Sequence, residues 1–311
     1  MVCEFDERST LCRLGAGESP YFCQHRFLVQ GQADLSDTSF ESLASAPIEL
    51  DFEALKGRRF AFQISANRRL DWSFGQLVPA LIERFGLNLE DCDHRKPQTV
   101  VSLYIHISDQ RVRLYSGISA TVDNVSPWSR GICRIPKDPK AVSRAEQKLR
   151  ESLELLEQAR VLGPGEGPPK RALDLGAAPG GWSRVMAQLG YSVDAVDPAD
   201  LDPRVAAHPG VTHHRTTSGA FLKSCRSRYH ALLCDMKMEA VMATKVARDF
   251  QHFLEPSAVL VLTLKLPKGK TGLTVAHQAV EGIEKAYTIV QARQLYFNRH
   301  ELTVLAVPRA G

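Results

Sequence analysis

The segment LDLGAAPGGWSRV, residues 173–185, sets Gly176, Gly180 and Gly181 among alanines and Pro179, between an apolar run and a helix-spaced run. Small residues let a backbone come close to a ligand at the start of a helix. Two phosphate chemistries fit poorly. A dinucleotide fingerprint requires G-x-G-x-x-G, and here its second glycine is absent and Pro179 stands inside the turn. A phosphate loop requires G-K-[ST], and here Trp182 follows Gly181. A nucleoside-linked amino acid, S-adenosylmethionine, suits the turn better. Asp197, in AVDP, stands 23 residues after Asp174, where an acidic side chain ending the next strand can bind ribose hydroxyls. A tight strand–helix turn that holds nothing is the plain alternative.

Hydrophobic spacing supplies the elements around this turn. SRAEQKLRESLELLEQAR predicts a helix, with Ser143 and Glu146 as an S-x-x-E capping box. Strands follow at ALDL, SVDAVD, VTHHRT, HALLCD, AVLVLTLK, TIVQARQLY and ELTVLAVP, with helices at WSRVMAQLG, VMATKVARDFQHFL and LTVAHQAVEGIEKAY. Alternating strands and helices predict an α/β fold with a mainly parallel sheet covered on both faces. No helix separates the last two strands, so the final one is expected to run antiparallel. Upstream, RFAFQISA, the helix SFGQLVPALIERFG and the hairpin TVVSLYIHIS/RVRLYSGIS predict a small α+β domain. The expected division is a short or incomplete N-terminal segment at 1–50, a small domain at 51–125, a basic linker at 126–142 and the α/β domain at 143–311.

The 311 residues suit about two domains. Residues 1–50 carry a balance of −5 and residues 51–311 carry +9, and a basic body suits a polyanion such as RNA or DNA. The seven cysteines are scattered and form no C-x-x-C pair. Neither a metal site nor a disulfide framework is expected, and a reducing cytoplasm is favoured. MVCEFDERST is acidic and does not read as a signal peptide, and the longest apolar run, AVLVLTL, is too short to cross a membrane.

DLGAAPGGWS resembles the cofactor loop of the FtsJ-like ribose 2′-O-methyltransferases. SRAEQKL, CDM, LKLP and NRHELTV fit the same family in the same order. The resemblance covers residues 140–311 and implies a Rossmann-like methyltransferase domain using S-adenosylmethionine. It supplies a catalytic tetrad of Lys148, Asp235, Lys265 and Glu301. It also implies cofactor contacts at Ser143, Ala178, Pro179, Gly180, Gly181, Trp182, Asp197 and Asp235. Ser218 stands where the family usually has an acidic residue near adenine. LKLP, ARQLY and the spacing from YSGIS to SRAEQKL bring the chain closer to family members that methylate a cytidine ribose of bacterial large-subunit rRNA. Those members carry a THUMP RNA-binding domain upstream, and the domain expected at 51–125 is similar to it in position and element order.

The placement of the four side chains follows from the elements as well. Asp235 and Lys265 end parallel strands, where such sheets bind ligands. Glu301 begins the strand expected to be antiparallel, and Lys148 lies one turn into its helix. A ribose hydroxyl is a poor nucleophile, and a lysine serves as its base only when its pKa falls from about 10.4. Burial and a second ammonium push Lys265 down, whereas Asp235 pushes it up. The resemblance gives Lys265 the base role, with Lys148 and Glu301 positioning the ribose.

RNA contacts are expected from Arg58, Arg59, Arg68, Arg69, Arg95, Lys96, Arg111 and Arg113, from Arg130, Arg134, Lys137 and Lys140 in the linker, and from Lys268 and Lys270 beside Lys265. Trp128 and Tyr104 are stacking candidates, with core packing the favoured role for Tyr104. Large-subunit rRNA is the favoured substrate. Two alternatives remain open, the same chemistry on tRNA and an RNA assembly factor that binds the cofactor without turnover, with a nicotinamide dehydrogenase a distant third.

Overall fold

The computed structural model describes residues 21, 23, 25–126, 128, 131–161, 170–269 and 271–309. They fall into two compact units, 25–134 and 135–309, with Tyr21 and Cys23 belonging to the second.

The first unit contains β1 (Gly31–Leu35), α1 (Phe40–Ala44), β2 (Phe60–Ala66), α2 (Phe74–Arg84), β3 (Thr99–Ile107) and β4 (Val112–Ala120). Its sheet has the order β1-β4-β3-β2, with β2 and β3 parallel and the other pairs antiparallel. A parallel pair needs a crossover, and α2 provides it. Ser73 and Gln76 form a capping box at its start, and Gly86 adopts a positive φ of 60° just past its end. Leu77, Leu81 and Ile82 on α2 pack with Phe62, Ile64, Val101, Leu103 and Ile105 of the sheet. The strand β1 lies inside the segment expected to be a short N-terminal part, and it forms one edge of this sheet.

The second unit contains α3 (Ala145–Gln158), β5 (Arg171–Leu175), α4 (Gly181–Gln188), β6 (Ser192–Val196), α5 (Pro203–Ala206), β7 (Val211–His214) and α6 (Ser218–Ser224). It continues through β8 (Tyr229–Cys234), α7 (Ala240–Asp249), β9 (Leu254–Lys265), α8 (Thr271–Glu284), β10 (Tyr287–Arg293) and β11 (Glu301–Pro308). The seven-stranded order is β10-β11-β9-β8-β5-β6-β7. Of the seven strands, β11 alone runs opposite to the rest, as its direct connection to β10 requires. Strands buried on both faces read as continuous apolar runs, and AVLVLTL in β9 is buried throughout. Ala243, Ala247, Ala276, Ala279 and Ile283 from α7 and α8 join one core cluster with strand residues such as Leu232 and Leu260. After β5 the chain winds to β6 and β7, then returns to β8 and β9 on the other side. This Rossmann-like winding opens a crevice at the carboxyl ends of β5 and β8. No helix among the described residues is long and apolar enough to cross a membrane.

Candidate active site

Lys265, the last residue of β9, faces Glu301, the first residue of β11, as a direct register partner. Asp235 follows Cys234 at the end of the neighbouring strand β8. Lys148 reaches the same place from α3. The four side chains close a ring. The Lys148 ammonium donates to Asp235 Oδ2 at 2.9 Å and to Glu301 Oε2 at 2.8 Å. The Lys265 ammonium donates to Asp235 Oδ1 at 2.7 Å and to Glu301 Oε1 at 2.6 Å. Each lysine therefore spans both carboxylates, and each carboxylate oxygen takes one lysine. The side chain of Lys265 is 30 % exposed, against 11 % for Lys148, 14 % for Asp235 and 16 % for Glu301. Lys265 is thus the corner most open to an incoming group.

The electrostatic balance differs from the sequence expectation. Burial pulls the Lys265 ammonium down, but the hydrogen bonds and charges of Asp235 and Glu301 outweigh it and hold its pKa above the ordinary lysine value. Burial pushes Glu301 up, and the hydrogen bonds and charges of Lys148 and Lys265 outweigh that and hold it below the ordinary carboxylate value. Two carboxylates at bonding distance outweigh the effect of burial. At rest the ring is a set of paired ions.

The glycine turn lies after β5. Asp174, near the end of that strand, is 2 % exposed and accepts from Ser183 Oγ of α4 at 2.6 Å. Burial pushes its carboxyl up to about 7. Gly176 and Ala177 donate their N–H groups to the Val196 carbonyl, at 2.9 and 3.3 Å. Gly180, with a φ of 102°, caps the start of α4, and a Cβ there would meet Val205 Cγ1 at 2.8 Å. Gly181 presses on Ser143 Oγ, where a Cβ would collide.

The residues around this turn fit S-adenosylmethionine, the cofactor that the resemblance implies. The Ser143 hydroxyl is buried without a hydrogen-bond partner and is available to a polar ligand. Asp197 takes the N–H of Ala178 on Oδ2 at 3.1 Å and that of Ala199 on Oδ1 at 2.8 Å, leaving each oxygen a lone pair for a ribose hydroxyl. Gly181 and Trp182 offer first-turn N–H groups of α4, which have no intrahelical partners. The Trp182 indole is 4 % exposed and donates to the Ala145 carbonyl at 2.7 Å, so its backbone is what a ligand can reach. Pro179 contributes its carbonyl to the Asp202 N–H at 2.9 Å. Ser218 is half-buried at the start of α6, beyond β7.

The capping box expected at Ser143 and Glu146 does not form. Glu146 is fully buried and accepts from the Val142 N–H at 2.7 Å and from Arg184 at 2.8 Å. Arg184 also binds Asp138 at 2.7 Å, which ties the segment before α3 to α4. Of the RNA candidates, Arg58, Arg69, Arg95, Lys96, Arg111, Arg134, Lys137, Lys140 and Lys268 are exposed. Arg59, Arg68 and Arg113 are ion-paired with Asp93, Asp109 and Asp34. Arg130 and Lys270 lie outside the described residues. Trp128 is 3 % exposed, so its ring is not a stacking surface. Tyr104, favoured for core packing, is instead half-buried on the sheet face away from Leu103 and Ile105, near Tyr115 and His106. Sequence reasoning passed over Asp174 and Arg184 as site residues. Asp174 had a signal, being a charge inside an apolar strand; Arg184, one basic residue on a helix, had none.

The FtsJ-like methyltransferase family matches residues 141–303, just over half of the chain and inclusive of all four ring residues and the glycine turn. The Ribosomal RNA large subunit methyltransferase M of Halorhodospira halophila is 36 % identical over 183 residues, covering 58 % of this chain and 51 % of that protein. Its counterpart from Sodalis glossinidius is 32 % identical over 224 residues, covering 69 % of this chain and 58 % of that protein. The matched region thus spans between half and three fifths of these two relatives. Among solved structures, the Methanococcus jannaschii fibrillarin pre-rRNA processing protein aligns over 54 % of this chain and 77 % of its own, with a TM-score of 0.41 and 14 % identity, a likeness too remote to bear on function. The match over residues 141–303 places this chain in the FtsJ-like methyltransferase family.

Proposed function

We propose that this chain transfers a methyl group from S-adenosylmethionine to a ribose 2′-hydroxyl of large-subunit rRNA. The observation that carries this reading is the closed ring of Lys148, Asp235, Lys265 and Glu301 at the crevice beside the glycine turn. When bound, the cofactor supplies an electrophilic methyl group on a cationic sulfur. Lys265, the most exposed corner, is the group that takes the hydroxyl proton. It must first release its own proton, which Asp235 and Glu301 oppose. Lys148 holds both carboxylates, and the carboxylates fix the direction of the Lys265 ammonium. Alignment of the hydroxyl supplies much of the remaining gain.

The four ring residues lie in the segment that matches the FtsJ-like family, and the similarity of the chain to two rRNA large subunit methyltransferases favours rRNA as the substrate. We read the unit holding 51–125 as a THUMP-like RNA binder, 126–142 as a basic linker and 143–311 as the methyltransferase domain, working in the cytoplasm. Exposed Arg58, Arg95, Lys96 and Arg111 support that role for the small unit.

The test uses methyl-labelled S-adenosylmethionine and total RNA from cells lacking the gene, with the protein and its Lys265→Ala variant. Label in large-subunit rRNA that vanishes with the variant supports the reading. Label in tRNA overturns the substrate and keeps the chemistry. Cofactor binding with no label in any RNA, including precursor particles, favours an assembly factor.

A further inference from the structure

Lys148 and Glu301 share a contact at 2.8 Å but come from distant parts of the chain. Lys148 rides on α3, and Glu301 is delivered by the connection between β10 and β11, residues 294–300. What fixes that connection against α3 is Glu151. It lies three residues after Lys148, on the same helix, and is 1 % exposed. Its Oε1 accepts from the Tyr296 N–H at 2.9 Å and its Oε2 from the Phe297 N–H at 3.3 Å. Arg293, ending β10 and 2 % exposed, faces it as the opposite charge.

The rest of the connection is held from its far side. The Gln294 side chain donates to the Arg299 carbonyl at 2.6 Å, and Asn298 donates to Thr303 Oγ1 at 3.0 Å. The Leu266 N–H, next to Lys265, donates to the His300 carbonyl at 3.0 Å. The connection is therefore joined to β9 on one side and to α3 on the other, and Glu151 supplies the second attachment. Tyr296 and Phe297 precede Glu301 by five and four residues, so a shift there is passed along a short, braced segment.

We infer that Glu151 is a positioning residue that sets the Lys148–Glu301 contact by clamping the β10–β11 connection to α3. A carboxylate is suited to this, because it accepts two adjacent N–H groups at once. Removing one acceptor breaks one of the two bonds and frees the connection to move. The inference rests on the methyl-transfer reading of the ring only for its effect on rate.

The experiment compares the full chain with its Glu151→Gln and Glu151→Asp variants. Glutamine keeps the size but presents an amide NH₂ to one of the two N–H groups. Aspartate keeps the charge beside Arg293 but is too short to reach both. Assays run well above pH 7, because burial pushes Glu151 up to about 7 and the clamp needs the carboxylate. The expected result is a fall in kcat of roughly tenfold to a hundredfold in both variants, the scale of a small misplacement of a reacting group. KM for S-adenosylmethionine and the melting shift caused by S-adenosylhomocysteine stay as in the parent. Nitrogen-15 spectra of the lysine ammonium groups give a reading that needs no turnover: the Lys148 signal is lost in both variants while that of Lys265 persists. Unchanged kcat and an unchanged Lys148 signal overturn the inference. So does a parallel loss of rate, cofactor response and both lysine signals, which makes Glu151 a support of the whole unit. If the parent methylates no RNA but its Lys148 signal still depends on Glu151, the clamp stands and the methyl-transfer reading falls.

Discussion

As the proposed base, Lys265 sits in a surrounding that keeps it an acid. The two carboxylates that orient its Nζ also raise its pKa, so the free amine is a minor species near neutrality. Two outcomes follow at this scale. Lys265→Arg keeps a cation in the ring but cannot release a proton. It should lower kcat by roughly 10²- to 10⁴-fold, the range of a lost general base, while the S-adenosylhomocysteine melting shift is retained. Substantial activity in the arginine variant would remove Lys265 from the base role. The second outcome concerns pH. If Lys265 is the base, the rate of methyl transfer should climb throughout the range from neutrality towards the raised lysine value, since only a free amine can accept the hydroxyl proton. Stability follows the opposite limbs. Glu301, lowered from 4.5, contributes stability that is present above 4.5 and lost as pH falls through its folded value. Lys265, raised from 10.5, contributes stability that is present below 10.5 and lost as pH rises through its folded value. Melting curves across pH should therefore drop at both ends, and Glu301→Gln should flatten the acid limb. The members of this ring were legible in the sequence, because strand ends and motif order name them. Their electrostatic balance was not, because it depends on which oxygen lies within 3 Å of which ammonium.

At the scale of elements, the glycine turn depends on two different demands that one residue type meets. Gly180 needs both a positive φ and a missing Cβ, because Val205 fills the space; Gly190 also has a positive φ, of 83°, but open surroundings. Both Gly→Ala variants carry a conformational cost of about 1–3 kcal/mol. Only Gly180→Ala should also displace α5 and weaken the melting shift caused by S-adenosylhomocysteine. Thermal shift assays on the pair separate the two effects, and equal cofactor responses would refute a packing role for Gly180. The parallel strands and the long helices were legible because burial on both faces and helical spacing leave strong periodic signals. The strand β1 was not, since GQADL is five residues long and finds its partner, Val112–Ser116, about eighty residues later. The short α5 and α6 were missed for the same lack of length. The capping box at Ser143 was misread because Arg184, distant in sequence, draws Glu146 away, and the freed Ser143 hydroxyl is turned to Gly181 instead.

At the scale of the whole molecule, charge is segregated along the chain, −5 before residue 51 and +9 after it. The exposed ion pairs Arg59–Asp93 and Arg68–Asp109 contribute little to folding, so their arginines are available to phosphates at small cost. If the small unit holds RNA through phosphates, its contribution is affinity without catalysis. Substituting Arg58 and Lys96, both exposed and neither part of the ring, by glutamate should then raise KM for RNA and leave kcat at saturating RNA unchanged. Each lost contact should also reduce the slope of log affinity against log salt by about one, which a titration at several salt concentrations measures. Lys265→Ala should give the reverse pattern, a lost kcat with the salt slope retained. An unchanged slope in the Arg58→Glu, Lys96→Glu protein would place the RNA footprint elsewhere, with exposed Lys137, Lys140 and Lys268 the next residues to substitute. The two patterns together would assign binding and chemistry to separate units of the chain.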